Sequence, residues 1–148
     1  MTISESIIII CPSCATANRV PKDKLGAGGK CGRCRSMLFL KQPVVLTAAN
    51  FETHTTKSDI PLVVDFWASW CGPCLQMAPA FTVAASQLEP LVRLGKLDTE
   101  AEQSIFARYG VRSIPTLILF SKGREIARQS GAMPTPAIVA WVRRALSA

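Results

Sequence analysis

The sequence has no apolar run long enough to cross a bilayer, which requires about 18–20 residues. The apolar run near its start, Ile7–Ile10, is four residues long and ends at Cys11. No basic segment precedes this run and no small-residue cleavage site follows it, so we expect no signal peptide. We interpret the run as a strand, and we expect a cytoplasmic protein that makes no contact with a membrane.

Two further absences exclude other classes of function. The sequence contains one histidine, His54, in a polar stretch that predicts a helix, so we expect a surface side chain and no Cys/His hydrolase. No glycine-rich phosphate-binding loop is present. This chain is therefore not expected to bind a nucleotide.

Four of the six cysteines form two CxxC pairs near the start of the chain: Cys11, Cys14, Cys31 and Cys34. Sixteen residues separate the two pairs, a spacing typical of zinc sites. Two such turns, into which Pro12 and Gly32 fit, can present four sulfurs to one ion in a closed tetrahedron. The sequence therefore predicts one zinc ion per chain, with iron in the same sulfurs or a pair of disulfides as the alternatives.

The cysteine pattern does not by itself assign a role to this metal site. A closed site has no open position for a substrate, so we expect a structural function. Residues 1–43 carry seven Lys/Arg and two acidic residues, in a chain whose net charge is +7, which would also suit a nucleic acid. Phe39 is the one aromatic residue there, and the shortage of stacking partners disfavours nucleic-acid binding. Redox sensing or tuning through the metal is a third interpretation.

The composition changes near residues 41–45, which indicates a small zinc-ribbon domain over 1–43 and a larger domain over 44–148. In the larger domain strand-like and helical patterns follow the order βαβαβαββα. This alternation predicts parallel pairing, and the last hairpin adds an antiparallel pair, so the fold class is α/β with a mixed sheet covered on both faces. The predicted strands are 44–47, 62–67, 91–97, 115–120 and 124–128, and the predicted helices are 48–57, 71–88, 99–109 and 135–146. A capping box at 99–102 and Thr135 as an N-cap mark the starts of the last two helices.

The other two cysteines, Cys71 and Cys74, lie where the predicted strand 62–67 gives way to the helix 71–88. The unpaired N–H groups and the dipole of a helix N-terminus favour a thiolate at the first cysteine. That thiolate can attack a disulfide, and the second cysteine can resolve the mixed disulfide that forms. Taken alone, a CxxC pair is also compatible with half of a metal site or with two unrelated core thiols.

The residues around this pair resemble the thioredoxin family. The segment Trp70-Cys-Gly-Pro-Cys74 follows Val64-Asp-Phe-Trp67, and Ile114-Pro-Thr116 lies about forty residues further on. The likeness covers 44–148, and with the four upstream cysteines the whole is similar to the thioredoxin 2 group, which has an N-terminal zinc-binding extension. The resemblance implies a thioredoxin fold and a thiol-disulfide oxidoreductase that reduces protein disulfides.

The resemblance also implies roles for individual residues. Cys71 would be the nucleophile and Cys74 the resolving thiol. Asp65, inside an apolar strand, would have a raised pKa and accept the proton of Cys74, with Lys96 as its charged partner. Pro115 would form a cis peptide bond beside the dithiol. The flat apolar surface that docks substrates would comprise Trp70, Gly72, Pro73, Ile114, Pro115, Gly131 and Ala132.

Partners follow from the same resemblance. The substrates would be disulfide-containing proteins, and a flavin-dependent thioredoxin reductase drawing on NADPH would return the protein, expected to be a monomer, to its reduced form. Leu75 replaces a usual basic residue and Ser113 a usual glycine, and both bear on partner preference. The competing interpretations are a nucleic-acid-binding ribbon with a passenger domain and a holdase for unfolded chains.

Overall fold

The computed structural model describes residues 5–148. Strands β1 (Ser6–Ile10) and β2 (Ala17–Pro21) form a two-stranded antiparallel sheet at the start of the chain. The other strands are β3 (Val44–Leu46), β4 (Leu62–Trp67), β5 (Arg93–Asp98), β6 (Thr116–Ser121) and β7 (Arg124–Ser130). The helices are α1 (Gly72–Leu88), α2 (Gln103–Arg108) and α3 (Thr135–Ser147), and a π-helical turn spans Thr53–Lys57. Within the described residues, no helix is both long enough and apolar enough to cross a membrane.

The second sheet has the strand order β3-β5-β4-β6-β7, with β4 at its centre. β4 pairs in parallel with β5 and antiparallel with β6, so the predicted mixed sheet is confirmed. Five of the six residues of β4 are buried. A central strand covered on both faces needs such a continuous apolar run, which is why the pattern was readable from the sequence.

Each face of this sheet has its own core. Val63 packs with Met77 and Phe81 of α1 and with residues of α3, whereas Phe66 packs on the opposite face with residues of α2. Side chains two residues apart on a strand share a face, so Asp65 lies on the same face as Val63. The strand therefore places a carboxyl group under the helix that begins at the CxxC pair.

The ribbon, which is the part of residues 5–43 folded around the four front cysteines, packs on the larger domain. Ile9 and Leu38 of the ribbon are buried together with Ile60, which lies two residues before β4. The backbone N–H of Asp59 donates to the carbonyl oxygen of Ile8 at 3.0 Å. These contacts are at the start of β4, whereas Cys71 follows its end, and six residues of strand span about 20 Å. The ribbon therefore covers the pole of the sheet opposite the dithiol.

A buried ion pair joins the two domains. The Arg93 guanidinium lies 3.1 Å from Glu89 Oε2, and both side chains are almost fully buried. Arg93 also donates to the carbonyl oxygen of Ile10 at 2.9 Å and lies over the Phe39 ring at 4.6 Å. The Lys41 N–H donates to Glu89 Oε1 at 2.6 Å. Burial raises the pKa of Glu89, and the Arg93 charge and the Lys41 N–H oppose that shift.

The prediction of a surface position for His54 is wrong. Its side chain is 2% exposed, and Nε2 has no hydrogen-bond partner among the described residues. The π-helical turn that carries it packs against β1 of the ribbon. Burial, reinforced by the Arg93 charge, lowers the pKa of His54 to about 4. The ribbon covers a face that looks solvent-exposed when the local sequence is read alone.

Two predicted helix starts also differ from the structure. The capping box at 99–102 does not form, because α2 begins at Gln103 and no side chain caps it. Instead, Asp98 Oδ1 accepts the N–H of Glu100 at 2.9 Å. The N-cap position of α3 is Pro134, and the Thr135 hydroxyl donates to the carbonyl oxygen of Ala80 at 2.9 Å. That hydroxyl ties α3 to α1 and does not cap its own helix.

Candidate active site and metal centre

The dithiol lies at the junction of β4 and α1. Cys71 and Cys74 are disulfide-bonded, with their Cα atoms 5.2 Å apart. Cys71 is the N-cap residue of α1, and its sulfur accepts the N–H of Cys74 at 3.2 Å. An N–H directed at this sulfur, at the positive end of a helix of seventeen residues, would stabilise a Cys71 thiolate in the reduced protein. Ala68 is fully buried against both cysteines.

A groove of about 710 Å³ opens beside Cys71. The predicted residues that line it are Trp70, Cys71, Gly72, Pro73 and Ile114. Trp70 is 68% exposed, and its indole N–H donates to Glu100 Oε1 at 2.9 Å, which fixes the ring at the rim. Cys74 does not line this groove. The groove therefore reaches Cys71 and does not reach Cys74.

The loop before β6 and the loop after β7 meet beside the dithiol. The Ile114–Pro115 peptide bond is cis, and the Ile114 carbonyl oxygen lies 3.7 Å from Cys71 Sγ. The Gly131 N–H donates to the Pro115 carbonyl oxygen at 2.9 Å, which places Gly131 and its exposed neighbour Ala132 next to the cis-proline.

Asp65 is the buried acid of the site. It is 1% exposed, and neither carboxyl oxygen has a hydrogen-bond partner among the described residues. Burial raises its pKa to about 7, and the Lys96 charge opposes this. Lys96 is in register with Asp65 across β4 and β5, but its ammonium lies 4.5 Å above the Trp67 ring and forms no ion pair with the acid. Asp65 is therefore poised to gain or lose a proton near neutral pH.

Ser113, named above only for partner preference, also lines the groove. Five further residues of the groove were not predicted from the sequence: Thr99, Glu100, Gln103, Phe106 and Arg112. Thr99 and Glu100 follow the carboxyl end of β5, which is parallel to β4. The carboxyl ends of neighbouring parallel strands lie at one edge of a sheet, and this signal could have located those two. The other three come from α2 and the loop after it, whose packing no local pattern specifies.

The four front cysteines converge on one point. Cys11 Sγ lies 3.6 Å from Cys34 Sγ, and Cys14 Sγ lies 3.6 Å from Cys31 Sγ. All four sulfurs lie within 4.8 Å of one another. A tetrahedral zinc ion with Zn–S bonds of about 2.3 Å would hold its sulfurs about 3.8 Å apart. The arrangement fits a metal with four thiolate ligands, and the clustering confirms that the two pairs act together.

The two CxxC turns repeat the same backbone geometry. The N–H groups of Ala15 and Arg35 each donate to the carbonyl oxygen of the first cysteine of their pair at 3.0 Å, and both residues have positive φ. The N–H of Ser13 donates to Cys11 Sγ at 3.3 Å, and that of Arg33 to Cys31 Sγ at 3.4 Å. Backbone donors aimed at sulfur stabilise thiolates, which is the form that binds a metal.

Known proteins share both parts of this chain. The family model for thioredoxin matches residues 42–144, and the model for the N-terminal part of thioredoxin 2 matches residues 10–36. Thioredoxin C-3 of Corynebacterium nephridii is 44% identical over 140 residues, 95% of this chain and 96% of that protein. A thioredoxin of Haemophilus influenzae is 40% identical over 96 residues, 65% of this chain and 90% of its own.

A solved structure gives the same result for the fold. A mutant thioredoxin from Halobacterium salinarum is 27% identical, with a TM-score of 0.63, over 70% of this chain and 90% of its own. The chain is a thiol-disulfide oxidoreductase of the protein-disulfide reductase class, with the thioredoxin fold, a redox cysteine pair and a zinc-ribbon cysteine cluster. It belongs to the thioredoxin family, and its N-terminal segment matches thioredoxin 2.

Proposed function

We propose that the reduced protein transfers two electrons to a protein disulfide, with Cys71 as nucleophile and Cys74 as resolving thiol. The Cys71 thiolate attacks one substrate sulfur, which forms a mixed disulfide and releases the other substrate sulfur as a thiolate. The Cys74 thiolate then attacks Cys71 Sγ and releases the second substrate thiol. The observation that carries this assignment is the position of Cys71 on the groove wall, while Cys74 is withdrawn from it.

Asp65 is the proposed base for the second step. Cys74 must lose its proton before it can attack, and an acid whose pKa is about 7 can accept that proton at cellular pH. Asp65 lies on the face of β4 that α1 covers, three residues before Ala68, which packs on both cysteines. Lys96 is proposed to moderate the pKa of Asp65 through its charge.

The proposed docking surface lies around Cys71 and comprises the half-buried Ile114, the buried Pro115 and five exposed residues: Trp70, Gly72, Pro73, Gly131 and Ala132. Pro115 has no backbone N–H, so the neighbouring Ile114 backbone is left to pair with an extended substrate. The substrates are disulfide-containing proteins. A flavoprotein thioredoxin reductase that uses NADPH is the proposed source of electrons, and the reducing cytoplasm is the proposed location of the monomer.

We propose zinc as the metal of the ribbon, one ion per chain, with a structural role. Four thiolates in a closed tetrahedron suit zinc and leave no open position for catalysis. The proposed domains are the ribbon (1–43) and the thioredoxin domain (44–148). The apolar cluster of the ribbon is small and includes Ile60 of the larger domain, so the metal would stabilise the ribbon.

The mixed disulfide provides the direct test. Cys74→Ser should accumulate a one-to-one covalent adduct with insulin chains that dithiothreitol releases, because the second step cannot occur. Cys71→Ser should form no adduct and should not catalyse insulin reduction with either dithiothreitol or NADPH and reductase. Mass spectrometry of the adduct identifies the attacking sulfur. Turnover that survives in Cys71→Ser would assign the chemistry to the front cysteines and overturn the proposal.

Metal content tests the ribbon separately. Plasma mass spectrometry should find one zinc per chain in the wild type and equally in Cys71→Ser, the matched control. Cys31→Ser should lose the ion, and hydrogen exchange should then rise in β1 and β2 while β4 stays protected. Metal binding of this kind contributes about 10 kcal/mol or more to folding in zinc-finger peptides. Iron in place of zinc, or a metal-free ribbon with unchanged exchange, would contradict the assignment.

A further inference from the structure

The helix that begins at the dithiol contains no charged side chain. None of the seventeen residues of α1 is Asp, Glu, Lys, Arg or His. In a chain with 18% charged residues, a helix of this length would hold about three. Exposed helix faces normally carry charges. The absence of charged side chains from the exposed face of α1 is therefore unusual.

The exposed side of α1 also carries a row of apolar residues. Leu75 is 53% exposed and Val83 is 46% exposed, and the exposed Pro79 lies between them. These three residues are four positions apart, so they form one row along the helix. The polar residues exposed beside this row are uncharged: Gln76, Thr82, Ser86 and Gln87.

This row starts at the reacting sulfur. The Leu75 N–H donates to the Cys71 carbonyl oxygen at 3.1 Å, and the helical rise places Leu75 about 6 Å and Val83 about 18 Å along the axis from Cys71. A protein that docks a disulfide on Cys71 and buries about 800 Å² of this surface covers a disc of about 16 Å radius. Leu75 lies well inside such a footprint and Val83 lies just beyond its rim.

We propose that this charge-free face (Leu75, Pro79 and Val83) extends the substrate contact and selects protein segments whose disulfide is flanked by apolar, uncharged residues. The inference rests on the proposed function and adds the class of substrate to it. A charged side chain docked here would lose water and find no opposite charge on α1. An apolar side chain would gain from the burial of Leu75.

The test compares two peptides of equal length, each cyclised by one disulfide. One has Leu and Val flanks, and the other has Glu and Lys flanks in equal number, so that neither net charge nor the +7 of the protein decides the result. For each protein, kcat/KM on each peptide is divided by the rate constant on a small aromatic disulfide. The variants are Leu75→Gln, Val83→Gln and, as matched control, Ile126→Gln, an apolar residue of β7 that is 44% exposed.

The wild type should prefer the apolar peptide about tenfold, and Leu75→Gln should lower that preference about fivefold. Val83→Gln should have a smaller effect, and Ile126→Gln none. Equal reduction of both peptides, or equal behaviour of Leu75→Gln and Ile126→Gln, would overturn the inference. A wild-type dimer in ultracentrifugation that Leu75→Gln dissociates would assign the face to a second copy and also overturn it. Failure of the wild type on the small disulfide would refute the proposed function itself.

Discussion

Replacing Asp65 with asparagine is expected to raise the free energy of unfolding at pH 8 by about 4 kcal/mol. The folded-state pKa of Asp65 is about 7 against an ordinary value of 3.8. Ionising this carboxyl group in the native protein therefore costs about 1.4 kcal/mol for each pH unit between these two values. Well below pH 3.8 the acid is protonated in both the folded and the unfolded chain, and the penalty disappears.

The sign of the pH dependence makes the prediction specific. Because the pKa is raised by folding, the wild type loses stability as pH rises from 4 to 7, and above pH 7 the loss stays constant. Urea unfolding at pH 4 should therefore give nearly equal stabilities for wild type and Asp65→Asn, with the gap opening toward pH 8. The control is Asp98→Asn, at the half-exposed end of β5, measured at the same pH values. A gap for Asp65→Asn that is independent of pH would contradict the buried-acid assignment.

The same variant should be slower in the second chemical step. If Asp65 is the base proposed above for the proton of Cys74, resolution of the mixed disulfide at pH 7 should fall about tenfold or more in this variant. Rapid-quench analysis of the adduct measures this step directly, whereas its formation by Cys71 should change less. A gain in stability together with a loss of turnover would identify Asp65 as a group kept for chemistry at the expense of folding.

The second large effect concerns the buried ion pair between the domains. Arg93→Met should lower the free energy of unfolding by about 3–5 kcal/mol, because it leaves Glu89 buried without its partner. The double variant Glu89→Leu/Arg93→Met should recover much of this loss, since two apolar side chains can replace the pair. Urea unfolding of the wild type, both single variants and the double variant yields the coupling energy.

Hydrogen exchange separates local from global consequences. In Arg93→Met the amides of β1 should exchange faster than those of β4, because Arg93 also holds the Ile10 carbonyl oxygen and the Phe39 ring. The matched control is Arg128→Met, which breaks an exposed pair with Glu125 and should cost less than about 1 kcal/mol. If Arg93→Met lowered the free energy of unfolding as little as this control, the Glu89–Arg93 pair would not be buried between the domains in solution.

The sequence predicted those parts of the molecule that depend on local patterns. The continuous apolar run of β4, the CxxC pair at the N-terminus of α1 and the spacing of the front cysteines each leave a signature within a few residues. The structure places Asp65 in a buried setting for the same reason, since its neighbours on the strand are apolar.

What the sequence did not reveal depends on contacts between distant segments. His54 lies in a polar stretch, and it is buried where its turn packs against the ribbon strand β1 and against β6. Arg93 and Glu89 look like ordinary surface charges until the ribbon is placed over them. Residues 99–102 have the letters of a capping box, yet the Glu102 N–H, which such a box would direct to Thr99, donates to the carbonyl oxygen of Asp98.

The position of the ribbon also determines which surface residues 44–148 would expose on their own. The ribbon covers the pole of the sheet that lies opposite the dithiol. Removing residues 1–43 would expose Ile60, His54 and the Glu89–Arg93 pair to water together. In such a truncated chain the imidazole of His54 would regain an ordinary affinity for protons. An NMR titration of His54 would show the loss of the ribbon as a rise in its pKa. The shortened protein would therefore be a thioredoxin domain that exposes buried apolar and charged groups at the pole that the ribbon covers in the full chain.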